Sequence, residues 1–473
     1  MQNFWDFKVW GGILIFSILL GSLLIGNMIK RRVPHMKNSL IPTSVLGGLV
    51  LLIISSIYNA FTGTPIFDTE FFGGSGTALL EIITYHTLAL GFIASSFKTT
   101  GKKLTKKRSS EVFNTGVTTV ATYLLQGFFG LAITIIAALI VTSFFPAAGI
   151  LLPFGYGQGT GQALNYGNIY ETNFGFAGGR SFGLTIAALG FLSASIGGVF
   201  HLNLMKHTGK LVLSNKNVST KVNTDEVESE GEIPMQESVD KISIQFALIS
   251  VAYLFTFLIM YTIGSFLNND SLKSVIYGFN FLLGVLVATL MKLILNGLYK
   301  KRIITRKYTN NFLLTRVSNF FFDIMVVAGI AAIRLDILQN YLGIIIILAV
   351  VGLVITYAYN RFIAKKLFPE YYEEQFLMMY GMLTGTASTG IILLREIDGD
   401  FQTPAAENMV YQNFPAIVFG LPMMFLATFG PKNPIACMLI FAGLFIVLNI
   451  ILFRNAIFRK RRLKREPDGD TEE

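Results

Sequence analysis

Long apolar runs alternate along this chain with short polar segments rich in Lys and Arg. A helix needs roughly 20 apolar residues to cross a bilayer. By that measure the runs predict spans at Gly11–Met28, Leu40–Ile57, Ala78–Phe97, Val112–Phe144 and Ser181–Leu204. After a polar stretch come Ile242–Phe266, Val275–Leu293, Phe312–Leu335, Leu342–Tyr359, Ala405–Thr428 and Ile435–Phe453. The first run has no basic start and no small-residue cleavage site, so it reads as an uncleaved span rather than a signal peptide.

Two segments break the pattern. FGYGQGTGQALNYG (Phe154–Gly167) and YGMLTGTASTGIILLR (Tyr380–Arg395) are runs of Gly with Thr, Ser or Gln, each set between apolar segments. Irregular backbone at membrane depth is costly, because lipid offers no partner to a free N–H or C=O. It is tolerated where it lines a cavity, and paired breaks in matching places of two halves point to a transporter's binding site.

Charge tests the arrangement. KRRVPHMKNS, KTTGKKLTKKRSS, KKRIITRKYTNN, RFIAKKLF and the tail RNAIFRKRRLKRE are basic, whereas FTGTPIFDTEFFGGSG and LNNDS carry almost no Lys or Arg. With the N-terminus outside, every basic loop and the C-terminus fall on the cytoplasmic side. This holds only if each Gly-rich segment enters and leaves by one face, the first from outside and the second from inside.

The predicted fold is therefore an all-α polytopic membrane protein with two inverted repeats, two re-entrant segments and an extra C-terminal helix. The first repeat covers residues 1–206 with its re-entrant segment at 147–168. The stretch 207–241, low in hydrophobicity and mixed in charge, reads as a flexible cytoplasmic linker. The second repeat covers 242–430 with its re-entrant segment at 376–395. Residues 431–473 hold the extra helix and a basic tail. Short internal matches agree: Leu90–Phe97 with Ala328–Leu335, and GQGTGQA with TGTASTG.

Composition narrows the class. Of 473 residues, 52% are hydrophobic and 14% charged, against roughly 25% charged in soluble domains. The net charge of +10 sits beside the spans, where it orients them instead of marking a nucleic-acid site. A single cysteine, Cys437, in an apolar run excludes a disulfide framework or cysteine metal site.

GYGQGTGQ lacks the Gly-Lys-Ser/Thr ending of a phosphate loop and has no strand before it. A potassium-type filter needs several identical loops around one axis; here there are two unlike ones. An ion channel or passive facilitator stays open as an alternative. A lipid-acting membrane enzyme is disfavoured, because no nucleophile–base motif or transition-metal spacing occurs. No cofactor is expected beyond sodium as the coupling ion.

Glycine lets backbone approach a ligand closely, and small hydroxyls donate and accept. The candidate substrate contacts are Gly157, Gln158, Gly159, Thr160, Gly161 and Gln162 in the first run, and Thr384, Gly385, Thr386, Ser388 and Thr389 in the second. Arg395 and Asn408 join them. Thr160, Thr386, Ser388 and Asn413 are the sodium candidates, since hydroxyls and carbonyls suit a hard cation. Helix N-termini at the breaks offer a partial positive field to an anion. Arg395 either meets a substrate carboxylate or anchors at the interface beside Glu396 or Asp398. Asp323 is either functional or a capping group. His86, five residues from Glu81 and off its helix face, is either a proton relay or a satisfied histidine. Asn165 flanks the first run.

At these residues the chain resembles the glutamate–sodium symporter family over most of its length. IPTSVLGGLV (Ile41–Val50) is similar to that family's second span and GFIASSFKTTGKK to its third span and basic loop. PFGYGQGTGQALNYGNIYE resembles its first re-entrant motif, with Gln158 where the motif carries His. Tyr380–Asn408 resembles the second, with Thr403–Pro404–Ala405. The resemblance implies sodium-driven uptake of glutamate or a similar anion through the plasma membrane, a homodimer, and elevator-like movement of the part carrying both re-entrant segments.

Overall fold

Inside a bilayer a backbone satisfies its polar groups within its own segment, and the long apolar runs do so as helices. The computed structural model describes residues 3–33, 41–98, 105–209, 232, 234–235, 239–267, 273, 276–278, 280–398 and 402–454. Among these the regular structure is helical, apart from an isolated bridge between Glu232 and Lys307. Most of the predicted linker, and the tail beyond 454, lie outside the described residues. Near the linker's end, Glu232 is held by Lys241 Nζ at 2.8 Å and Asn310 Nδ2 at 2.7 Å.

The first half supplies α1 (Phe7–Arg32), α2 (Thr43–Thr62), α3 (Gly76–Phe97), α4 (Lys106–Ile140), α5 (Leu151–Phe174) and α6 (Gly179–His207). The second supplies α7 (Lys241–Ser265), α8 (Asn280–Lys300), α9 (Asn311–Ala331), α10 (Leu342–Leu367), α11 (Tyr372–Thr384), α12 (Ala387–Arg395), α13 (Ala405–Tyr411) and α14 (Asn413–Phe429). α15 (Pro434–Leu452) follows. Among the described residues eleven helical stretches are long and apolar enough to cross a membrane. They coincide with the eleven predicted runs, and α5, α11 and α12 are not among them. The chain is a multi-pass membrane protein. The run Ala405–Thr428 is interrupted at Gln412, which separates α13 from α14.

Capping follows local chemistry. Asp6, Thr105, Asp240, Asn310 and Asn433 each accept a backbone N–H at the start of α1, α4, α7, α9 and α15, satisfying donors that the first turn leaves free. Basic residues close α1, α6, α8 and α10, where they oppose the helix dipole. Buried hydroxyls within α4 look after themselves: Thr118 donates to Asn114 O at 2.7 Å and Thr122 to Thr118 O at 2.8 Å.

Packing divides the helices into two bodies. In one, α1 lies on α2, α2 and α3 lie on α9, and α8 joins α3 to α7. In the other, α4 touches α10, α14 and α15, while α6 packs along α5, α10 and α11. The bodies meet chiefly where α3 and α9 touch α5.

Candidate functional site

Each Gly-rich run folds as two helical arms turned back on one another. In α5 the break is at Gly159, with φ +79° and ψ −171°, a region essentially open to glycine alone. Phe154 and Tyr166 stack across the two arms with ring centroids 3.7 Å apart. In the second run the break falls at Gly385 and Thr386, between α11 and α12. There a Cβ at Gly381 would stand 2.9 Å from Gly390 Cα, so small residues set how closely the arms approach.

The two breaks meet. A Cβ at Gly159 would lie 3.2 Å from Thr386 Cγ2 and 3.9 Å from Gly385 O. Thr160 is fully buried and its Oγ1 reaches Met325 O of α9 at 3.3 Å. Thr386 is half-buried, and its Oγ1 lies 3.5 Å from Thr389 Oγ1. Thr384 is buried, with its hydroxyl donating back to Tyr380 O at 2.6 Å. At each break one arm ends in carbonyls and the next begins with amides. The site therefore offers partial negative and partial positive ends side by side, suited to a cation and an anion respectively.

α4 ties both tips together, which the sequence did not signal. Tyr123 Oη donates to Gly157 O at 3.0 Å. One turn along, Gln126 Nε2 donates to Leu383 O at 2.9 Å and to Thr356 Oγ1 of α10 at 2.8 Å. Gln126 is fully buried, and its Oε1 has no partner among the described residues. Nearby, Thr119 Oγ1 donates to Gln412 Oε1 at 2.8 Å. Only a cluster of polar residues at one helical face (Thr115, Thr119, Thr122, Gln126) marks this in the sequence.

Not every sequence candidate reaches the tips. Gly157, Gly159, Thr160, Gly161, Thr384, Gly385, Thr386 and Thr389 lie at or beside them, with Gln158 partly exposed there. The Ser388 side chain lies outside the described residues. Arg395 is the exposed last residue of α12, about 12 Å along that helix from its start at a 1.5 Å rise per residue. Asn408, buried on α13, donates to Tyr371 Oη at 3.0 Å and Gln375 Oε1 at 3.1 Å. It thus sits at the foot of α11. Asn413 is exposed at the start of α14, and Gln412 takes the inward place beside it. Asp323 is exposed on α9, with Ser44 as its hydrogen-bond partner. His86 Nδ1 meets Tyr253 Oη at 2.6 Å on an exposed face.

The foot of α11 holds a charge cluster that the sequence reading missed. Glu373, in the helix's first turn, accepts from His201 Nε2 at 2.8 Å and Arg361 Nη1 at 3.1 Å. Tyr357 Oη meets the other ring nitrogen at 2.8 Å. The carboxylate is placed where the helix dipole favours it, and it links α11 to α6 and α10.

Two broken hairpins meeting tip to tip inside a helical membrane protein narrow the possible families, and a comparison decides among them. The sequence model of the sodium/glutamate symporter family matches residues 10–398. The chain belongs to that family. Both Gly-rich breaks fall within the part matched to the sodium/glutamate symporter pattern, whereas α13, α14 and α15 lie beyond it. No curated protein matches the chain.

Proposed function

We propose that this protein is a symporter that uses the inward sodium gradient to import glutamate or a similar organic anion. The observation that carries the reading is the meeting of the two hairpin tips at Gly159 and Thr386. There, helix ends of both polarities and small hydroxyls share one place. Thr160 and Thr386 are the sodium ligands we favour, with Ser388 beside them. The amides that open α12 and the second arm of α5 face the substrate anion.

The movement we propose is elevator-like alternating access. It is supported by how the helices divide. One body takes α1, α2 and α3 from the first half and α7, α8 and α9 from the second. The other takes α4, α5 and α6 and their counterparts α10 to α14. Each half thus contributes three spans to one body and, to the other, a span, a hairpin and a further span, the last divided into α13 and α14 in the second half, as inverted repeats over 1–206 and 242–430 would. The body with both hairpins is the one that moves; the other, in a homodimer, stands still. α15 packs on α4 with Phe441 against Gly127, so it travels with the hairpins. The termini follow the charge pattern, with the N-terminus outside and the C-terminus inside.

The test is uptake of labelled L-glutamate into proteoliposomes. An inward sodium gradient should drive accumulation, and replacing sodium by choline should stop it. Equal uptake in choline without a pH gradient would mean a passive facilitator and would sink the symport reading.

A further inference from the structure

At the end of the molecule opposite the basic loops, a cavity of about 430 Å3 opens between the two bodies. That volume falls within the ~300–1,000 Å3 of small-molecule sites. Its polar walls are Glu81 and Tyr85 of α3, Asn165 and Asn168 of α5, Arg180 of α6, and Tyr277 before α8. Arg180 is the one basic side chain among its lining residues. A second cavity, about 270 Å3 at the start of α11, is lined by Glu370, Glu373 and Glu374 with no basic side chain in its wall.

Arg180 is held but not used up. Its Nη1 donates to Glu81 Oε2 at 3.0 Å and its Nε to Asn168 Oδ1 at 3.0 Å, with Glu171 Oε1 3.9 Å from the same Nε. Its Nη2 has no protein partner among the described residues. The Arg180 side chain is 31% exposed and that of Glu81 18%, so a ligand in the cavity reaches both. From Arg180 a row of amides follows one face of α5: Asn168, Asn165 and Gln162, three residues apart. Asn165 Nδ2 donates to Gln162 Oε1 at 3.3 Å and also to Gly278 O. Gln162 is 1% exposed and its Nε2 has no partner among the described residues. Two residues further on is Thr160, at the tip.

A guanidinium and a carboxylate side by side, each with unused atoms, are the complement of an amino acid. We propose that Arg180 and Glu81 form the outward-facing recognition site for the amino-acid substrate. Arg180 takes a substrate carboxylate by its planar fork, and Glu81 takes the α-ammonium. The Arg180–Glu81 pair is exchanged for two pairs with the ligand, while Glu171 stays beside the guanidinium, so no charge is left alone. The amide row then leads the second carboxylate toward the tips. This assignment rests on the transport reading above and names the group in its substrate that sets specificity.

The experiment measures binding of L-glutamate, and of glutarate, which lacks the ammonium, to the purified full chain in sodium. Glu81→Gln should weaken glutamate roughly 10- to 150-fold, the value of one charged hydrogen bond, and should not weaken glutarate, which brings no ammonium to Glu81. Arg180→Gln should weaken both, and Arg180→Lys should restore part of the loss. If Glu81→Gln and Arg180→Gln weaken both ligands equally, or neither, the pair is only a bridge between the bodies and the proposal falls. An independent arm avoids altering the pair. In a Cys437→Ala background, Ala78→Cys at the cavity wall should react more slowly with an impermeant thiol reagent when glutamate and sodium are present. Glutamate binding with no such protection also overturns the site while leaving the symporter reading intact. No sodium-dependent glutamate binding by the unaltered protein overturns that reading itself, and this assignment with it.

Discussion

The methyl of Thr386 sits 3.2 Å from where a side chain on Gly159 would begin. Two breaks far apart in the chain are thereby fitted face to face. Gly159→Ala meets two obstacles, the close methyl and a backbone at φ +79°. Such a conformation costs about 1–3 kcal/mol for other residues. We expect glutamate uptake to fall at least about tenfold and the melting temperature to drop. Uptake by Gly159→Ala at the unaltered rate would show that the break is not needed.

The hydroxyls at the tips should report sodium. Thr160→Ala and Thr386→Ala are each expected to raise the half-saturating sodium concentration. Loss of one ligand from a buried site is worth about 1–3 kcal/mol, or roughly 5- to 150-fold. Sodium titration of initial uptake rates at fixed glutamate checks this. An unchanged half-saturation in both variants would move the cation site elsewhere.

Gln126 is the side chain that holds the second tip. Gln126→Leu leaves the Leu383 carbonyl and the Thr356 hydroxyl without that donor. Burying groups that have lost their partner costs about 1–3 kcal/mol. Tyr123→Phe removes a single bond to Gly157 O and should cost less, about 0.5–1.5 kcal/mol. Thermal unfolding in detergent should rank unaltered protein, Tyr123→Phe and Gln126→Leu in descending order. The reverse order would mean that α4 supports the first tip more than the second.

Glu373 at the foot of α11 balances Arg361 beside a buried His201. Removing one partner of a buried ion pair costs up to ~3–5 kcal/mol, and Arg361, partly exposed, lowers that figure. Glu373→Gln should therefore destabilise the fold measurably, by about 2 kcal/mol. Arg361→Met in the same background should recover part of it, since the stranded cation is gone. No recovery in the double variant would mean that the cluster acts through its hydrogen bonds alone.

The orientation of the chain is tested by accessibility. In a Cys437→Ala background, an impermeant thiol reagent added to whole cells should label Ser75→Cys, at the exposed start of α3. It should not label Ser219→Cys in the stretch between the halves. Labelling of the second would overturn the opposed orientation of the two repeats.

The sequence by itself determined the class, the helices long and apolar enough to cross a membrane, and the two irregular places. Runs such as Leu342–Tyr359 leave no choice but helix, because lipid enforces internal hydrogen bonding over about 20 residues. The runs around Gly159 and Thr386 stand out for the same reason: glycine and small hydroxyls are expensive there without a function. Family motifs in those runs and in Ile41–Val50 were legible too, because they are local strings.

What only the tertiary structure decided is which polar groups share a place. Arg395 lies close in sequence to Thr386, yet α12 carries it to the far, exposed end. Asn408 and Asn413 flank the second run but are turned to the foot of α11 and to an exposed face. Gln126 of α4 meets Leu383 of α11, and Arg180 of α6 meets Glu81 of α3, although each is isolated among apolar residues in the sequence. A side chain's neighbours within a helix follow from spacing of three or four residues. Its neighbours on other helices follow from how glycine-lined surfaces such as Gly167 against Gly179 let backbones close together, and a linear pattern does not contain that.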